Sequence, residues 1–242
     1  MTVAEQRTVP RRLSPFYNKE AFLGAKFAQD EFEWIRAERF TDPREEKKTA
    51  ERGVGVGDVS HLVKLSVKSD DVTEIVSGLY QKKEQAVVNG AVLTDGLGEL
   101  KEVLCAVLCK DEAMFVMNPS SKEVFNKLVG INGLEHSIVT DVTSVFAGAC
   151  IVGEKSRPVL WKLTELNVDS EAFPNFRVTH SPFRHVPSIV MRFDLHGVPG
   201  YQIYFERAYS EYMWDVIFGA GREFGITPVG SAAMELLGWR LG

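Results

Sequence analysis

At 242 residues, 45% apolar and 25% charged, the chain has the composition of a globular protein large enough for a sizeable core. A formal net charge of −5 gives no general basis for nucleic-acid binding, and Arg7, Arg11 and Arg12 make only a short basic end. No apolar run reaches the roughly 20 residues that span a bilayer, and charges and a proline stand where a signal peptide needs an apolar core. The protein is expected in the cytoplasm, away from membranes and nucleic acids.

Residues 1–15 are expected as a mobile N-terminal tail, and residues 16–242 as one module. Phe16 to Ile35, rich in aromatics, predicts helical segments packed on the core. Asp42-Pro43-Arg44-Glu45 is a helix start: Asp42 can accept from first-turn amides, Pro43 suits the first helical position, and Glu45 suits the reciprocal place in a capping box. Gly53, Gly55 and Gly57 are expected to end that helix and open a tight loop. Val63, Leu65 and Val67 alternate with Lys64, Ser66 and Lys68, the pattern of a half-buried strand.

Val72, Ile75, Val76 and Leu79 have helical spacing, and Val103 to Cys109 reads as a strand covered on both faces, with Ala113 to Met117 beside it. Ser120 or Ser121 predicts a cap for a helix through Val129, followed by strands around Ser137–Val142 and Val145–Val152. Arg157 to Leu166 is a predicted helix, while Asn167 to Ser188, holding Pro174, Pro182 and Pro187, reads mostly as loop. Ile189, Met191 and Phe193 mark a strand face, and Tyr201 to Phe205 another strand. Tyr209, Tyr212, Met213, Val216, Ile217 and Ala220 then form one helical stripe. Short alternating blocks without sequential βαβ spacing predict an α+β fold with two packed subdomains.

Individual polar residues have modest roles on this reading. Cys105, Cys109 and Cys150 are too few, and odd in number, for a disulfide framework; they are read as buried free thiols. Asp58, Ser60 and His61 are too close in sequence to face one another as a triad, so Asp58 and Ser60 are expected to satisfy loop amides. His180, His185 and His196 have no metal-ligand spacing, and no metal is expected. Trp34, Trp161, Trp214 and Trp239 are expected as core anchors. Gly53, Gly55 and Gly57 make no phosphate loop, since a helix precedes them and no Gly-Lys-Ser/Thr follows.

The stretch from Phe32 to Val72 (FEWIRAERFTDPREEKKTAERGVGVGDVSHLVKLSVKSDDV) resembles the opening of the glycine-cleavage T-protein, or aminomethyltransferase, family. Val116-Met117-Asn118-Pro119-Ser120-Ser121 resembles that family's strand–Asn–helix step, and Gly153–Leu163 (GEKSRPVLWKL) its Gly-Pro-x-Ala-x-x-x-Leu helix. Gly200-Tyr201-Gln202-Ile203-Tyr204 falls where the family has a Gly-aromatic-Glu-aliphatic strand. Gly225–Gly242 (GITPVGSAAMELLGWRLG) runs without a gap against the closing pattern.

The resemblance implies a folate-binding module of two packed α/β subdomains with mixed or antiparallel sheets. Family enzymes continue into a small β-barrel beyond the closing pattern; this form is expected to lack it, that part being either supplied by a protein partner or dispensed with. The implied activity is tetrahydrofolate-dependent transfer of an aminomethyl or methyl unit. The alternative is a non-catalytic subunit, as in the small subunit of heterotetrameric sarcosine oxidases. The iron–sulfur assembly factors of the same fold need a Lys-Gly-Cys-Tyr-x-Gly-Gln-Glu motif that is absent from this sequence.

Aligning on Gly98 places Lys101 and Glu102 at the family's paired acidic positions, with Glu102 as the catalytic carboxylate. Folate contacts are implied at Leu62, Lys101, Asn118, Gln202 and Met234. Gln202 replaces a glutamate that can accept two hydrogen bonds from the pteridine edge. Met234-Glu235 replaces the Arg-Asp pair, removing a bidentate anion grip. Leu195-His196-Gly197-Val198-Pro199 stands in place of the family's Tyr-Thr-Gly-Glu-Asp.

Overall fold

The computed structural model describes residues 12–80, 87–94, 102–123, 125 and 137–239. In chain order the first elements are β1 (Arg12–Leu13), α1 (Tyr17–Phe22), β2 (Lys26–Gln29), β3 (Trp34–Arg39), α2 (Pro43–Arg52) and β4 (Gly55–Asp58). Next come β5 (Val63–Lys68), α3 (Val72–Tyr80), β6 (Ala91–Thr94), β7 (Val103–Val107), β8 (Glu112–Met117), β9 (Ile138–Asp141) and β10 (Phe146–Val152). The remainder forms α4 (Ser156–Trp161), β11 (Val178–Phe183), β12 (Val186–Arg192), β13 (Gly200–Glu206), α5 (Ser210–Gly221), β14 (Thr227–Val229) and α6 (Ser231–Leu236).

The fold is α+β, with three sheets. The order is β1-β3-β2 in a three-stranded sheet, β11-β12-β13-β10-β4-β14 in a six-stranded sheet, and β6-β7-β8-β5-β9 in a five-stranded one. The five-stranded sheet is antiparallel throughout. The six-stranded sheet is antiparallel except where Thr227–Val229 runs parallel to Gly55–Gly57. All of β5 to β9 lies in sequence between β4 and β10, so one sheet is inserted into the other.

Strand alternation assigns each face to a layer. Leu104, Ala106 and Val116 of the five-stranded sheet share a core with Cys150, Met191 and Tyr204 of the six-stranded one. The opposite face of the six-stranded sheet packs Ala149, Ile151, Ile203 and Phe205 on Val159 and Leu160 of α4 and Met213, Trp214 and Ile217 of α5. The opposite face of the five-stranded sheet packs Val63, Leu65, Cys105 and Phe115 on Val72 and Val76 of α3. The layers therefore run helices, sheet, sheet, helix.

Several expected elements form as read. Asp42 caps α2, its side chain accepting from the amides of Arg44 and Glu45. The carboxylate that reaches back past the cap is Glu46, not Glu45: its Oε1 accepts from Phe40 N and Thr41 N, each at 2.6 Å, and its Oε2 accepts from Gly230 N at 2.8 Å. Val63–Lys68 and Val103–Val107 are strands, and every residue of the latter is buried. Ala113–Met117 pairs beside Val103–Val107.

Others differ. Within Phe16–Ile35 only Tyr17–Phe22 is an α-helix; Lys26–Gln29 and the segment starting at Trp34 are strands that pair with each other. Arg12–Leu13, in the expected tail, pairs in parallel with Trp34–Ile35. Gly55 and Gly57 lie in a buried strand and not in a loop. A Cβ on Gly55 would sit 2.4 Å from Val229 Cγ2 and 2.7 Å from Ala50 Cβ, so glycine here serves close packing. The expected loop 167–188 contains a hairpin in which Pro182 lies opposite Pro187. Pro182 is on the edge strand β11 and Pro187 precedes the first β12–β13 pair, where missing amides are tolerated.

The helix expected over Arg157–Leu166 is the shorter Ser156–Trp161, and Trp161 is exposed rather than a core anchor. In α5 the buried stripe is Met213, Trp214, Ile217 and Gly221, while Tyr209 and Tyr212 are exposed. Asn118, not Ser120 or Ser121, caps the 3-10 turn Pro119–Ser121, and the helix expected through Val129 extends outside the described residues. Cys105 and Cys150 are buried, but Cys109 lies past the end of β7, half-exposed, and its thiol donates to Asp111 Oδ1.

Candidate functional site

The positions implied for folate binding gather at the seam between the two large sheets. Val63 of β5 and Val103 of β7 both pair with Met117 of β8. Leu62, Glu102 and Asn118 each stand one residue beyond that rung, just past the ends of three neighbouring strands. Leu62 is fully buried, whereas Glu102 and Asn118 are half-buried. The Asn118 Oδ1 accepts from Ser120 N at 2.8 Å and Ser120 Oγ at 2.7 Å, so its carbonyl is occupied in capping. Lys101 lies outside the described residues.

On the facing sheet, Gln202 pairs with Cys150, which pairs with Gly57. Met234 of α6 covers that glycine: a Cβ on Gly57 would be 3.0 Å from the Met234 Sδ. Gln202 is 0% exposed and Met234 3%. The Tyr204 hydroxyl donates to Gln202 Oε1, and the Gln202 Nε2 has no hydrogen-bond partner among the described residues. Burial, reinforced by Cys150, holds the Tyr204 hydroxyl protonated, well above the usual phenol range.

Lys64 is the residue the alternation reading missed. It reads as a solvent-facing strand position, yet it is 0% exposed. Its side chain enters the layer that holds Leu62 and Tyr204, and its Nζ donates to Ser60 O at 2.9 Å and Leu62 O at 2.8 Å. It also lies 5.7 Å from the centre of the Tyr204 ring, within cation–π range. Burial draws its pKa down to about 7, opposed by Asp58 and Asp141 and assisted by Arg207. The available signal was Leu62-Val63, two adjoining apolar residues where the strand begins, which fits a strand covered on both faces.

His61 and Ser60 fix the approach to this strand. Ser60 Oγ accepts from Gly148 N at 3.0 Å, and Asp58 Oδ1 accepts from Ser60 N at 2.8 Å, so these two satisfy backbone as expected. His61 Nε2 lies 2.7 Å from Arg36 Nη1. A guanidinium only donates, so Nε2 accepts and the ring proton sits on Nδ1. Burial, then Arg36 and Lys64, hold His61 well below its ordinary pKa and therefore neutral.

The seam thus brings together Lys64, Tyr204 and Gln202, with Leu62 and Met234 filling the space around them. An amine that can lose its proton near neutral pH has the chemistry of a base, but here it is closed off from solvent. No group of His, Cys, Asp and Glu among the described residues is arranged to hold a metal, and His180, His185 and His196 are exposed. No helix among them is long and apolar enough to cross a membrane.

The fold matches that of the glycine cleavage system aminomethyltransferase T from Bartonella henselae, with a TM-score of 0.77 at 16% identity over 94% of this chain and 62% of that one. It also matches a chain of the heterotetrameric sarcosine oxidase from Corynebacterium sp. U-96, with a TM-score of 0.63 at 17% identity over 89% of this chain and 97% of that one. The family description "GCVT N-terminal domain" matches residues 16–240, and the chain belongs to that family. The aminomethyltransferase of Halothermothrix orenii is 25% identical over 230 residues, covering 93% of this chain and 63% of the relative. That of Bacteroides fragilis is 27% identical over 240 residues, 96% of this chain and 65% of the relative. The chain therefore spans under two thirds of the length of these curated relatives.

Proposed function

We infer that this chain is a folate-fold subunit that works within a larger cytoplasmic assembly, its central cleft closed by its own side chains. The observation that carries this reading is the burial of Leu62, Gln202 and Met234, at 0%, 0% and 3% exposure. A pterin reaches these residues only if the two sheets part, which exposes the core they share. Gln202 already uses its carbonyl oxygen on Tyr204, and Met234 offers no charge to an anionic tail. The likeness to a chain of a heterotetrameric sarcosine oxidase supports a partner-bound role.

A specific observation favours a second reading, tetrahydrofolate-dependent one-carbon transfer. Glu102, Asn118 and Leu62 each stand one residue beyond the rung at which Val63 and Val103 pair with Met117, which supports a carboxylate working near an amide and an apolar side chain at that end of the five-stranded sheet. On this reading Glu102 moves a proton or holds a cationic intermediate, and tetrahydrofolate supplies the one-carbon carrier when bound.

Calorimetric titration with tetrahydrofolate, with 5-methyl-tetrahydrofolate for comparison, separates the two. The subunit reading expects no heat and no thermal shift at millimolar ligand. Micromolar binding, near −8 kcal/mol, overturns it in favour of the transferase. In that event Glu102→Gln should abolish turnover and leave the thermal midpoint nearly unchanged.

A further inference from the structure

His61 and Val63 alternate along the chain with Leu62 and Lys64, and they line a separate cavity of about 820 Å³, ample for a small molecule. Phe32 and Trp34 form part of its wall, and Arg12, Lys122 and Arg207 bring three cations to it from distant parts of the sequence. Asp141 is the carboxylate among the described lining residues, and Lys122 neutralises it at 2.5 Å. The two arginines are left as a local positive excess in a chain of net charge −5.

Both arginines are held in place from the backbone side. Arg12 N donates to Glu33 O at 3.0 Å, fixing β1 along the cavity rim. Arg207 Nη2 donates to Leu13 O at 3.0 Å, which leaves the rest of its five N–H donors for other acceptors. The His61 ring adds a further observation. Its Nε2 accepts from Arg36, while its Nδ1 is buried and has no hydrogen-bond partner among the described residues. A neutral imidazole with a buried, unsatisfied N–H therefore stands among the residues that line the cavity, with Arg36 and Lys64 as the cations nearest to it in effect.

We propose that this cavity binds a small anion carried on a flat ring, a carboxylate or a phosphate ester, with Arg12 and Arg207 holding the anion and Phe32 and Trp34 packing the ring. Guanidinium groups match both anions by paired hydrogen bonds, and aromatic walls select the ring. The site is distinct from the inter-sheet seam and does not depend on whether tetrahydrofolate binds there.

The test is calorimetric titration of the full chain with phenyl phosphate and with benzoate, using phenol as the neutral control. Saturable binding of at least one anion is expected, with phenol weaker by at least about tenfold. Which anion binds more tightly identifies the headgroup. Arg12→Gln and Arg207→Gln should each weaken binding by about tenfold, and added salt should weaken it further. Arg12→Gln keeps the β1 backbone pairing, so it remains informative if Arg207→Gln loosens the N-terminal strand. Absence of binding by both anions at millimolar concentration overturns the proposal. So does binding that phenol matches or that Arg12→Gln leaves unchanged.

Discussion

The Lys64 ammonium lies 5.7 Å from the centre of the Tyr204 ring, so a cation from one sheet meets an aromatic face from the other. With the Lys64 pKa drawn down to about 7, pH decides which form sits against the ring. An unfolded lysine keeps its proton to about pH 10.4. Between those values the unfolded chain binds the extra proton, so this group makes stability rise with pH. Below about pH 7 both states are charged and the contribution is absent. The urea midpoint should climb from pH 7 towards pH 9, and Lys64→Met should flatten the climb. An unchanged slope in the variant removes Lys64 as its source.

Glu46 ties three parts of the chain together through one carboxylate, accepting from Phe40 N, Thr41 N and Gly230 N. Glutamine at this position turns one acceptor oxygen into a donor that faces another donor. Glu46→Gln should cost about 3 kcal/mol in urea denaturation, within the range for buried hydrogen bonds to a charged group. A loss near zero would mean that the two ends of the network do not depend on the charge.

Gly57 and Met234 should behave as a coupled pair. A Cβ at Gly57 would lie 3.0 Å from the Met234 Sδ and 3.2 Å from its Cγ. Gly57→Ala should destabilise by about 1–3 kcal/mol through overpacking. Adding Met234→Ala makes room for the new methyl, so the double variant should be more stable than the sum of the singles by at least about 0.5 kcal/mol. Strict additivity would place the strain elsewhere.

The legible parts of the fold are those where local chemistry and tertiary packing agree. Asp42-Pro43 carries its own cap, and Val103–Val107 is apolar on both faces because both are covered. The failures share a cause: a residue type with two uses. Gly55 and Gly57 suit a turn, but here they admit Val229 and Met234 against a central strand. Pro182 and Pro187 suit a loop, but they also fit a hairpin's outer rung. Trp214 replaces the tyrosines on the inner face of α5 because Phe16 and Phe218 pack on it, at 5.0 and 4.8 Å between ring centres.

The same applies to the site. Family likeness brought Leu62, Gln202 and Met234 to notice; Gln202 is placed by its strand, Leu62 stands just before Val63–Lys68, and helix α6 lays Met234 over Gly57. Whether the space between them is open is a property of the assembled sheets and has no local signature. Lys64 shows this most sharply, since a lysine alternating with apolar residues normally marks solvent. Here β5 lies between β8 and β9 with the second sheet across that face.

The insertion of one sheet within the other also sets an order of events during synthesis. Gly55–Asp58 emerges early from the ribosome, yet its partners are Ala149–Val152 and Thr227–Val229. The strands between Val63 and Asp141 can pair among themselves as soon as they appear. One edge of the earlier strand can pair once Ala149–Val152 appears, but its other edge must wait for Thr227–Val229, and such long-range closure is slow. Nascent chains stalled before Thr227 should therefore hold one finished sheet beside a second whose Gly55–Asp58 edge is open, the form in which this protein is most exposed to aggregation and to chaperone capture.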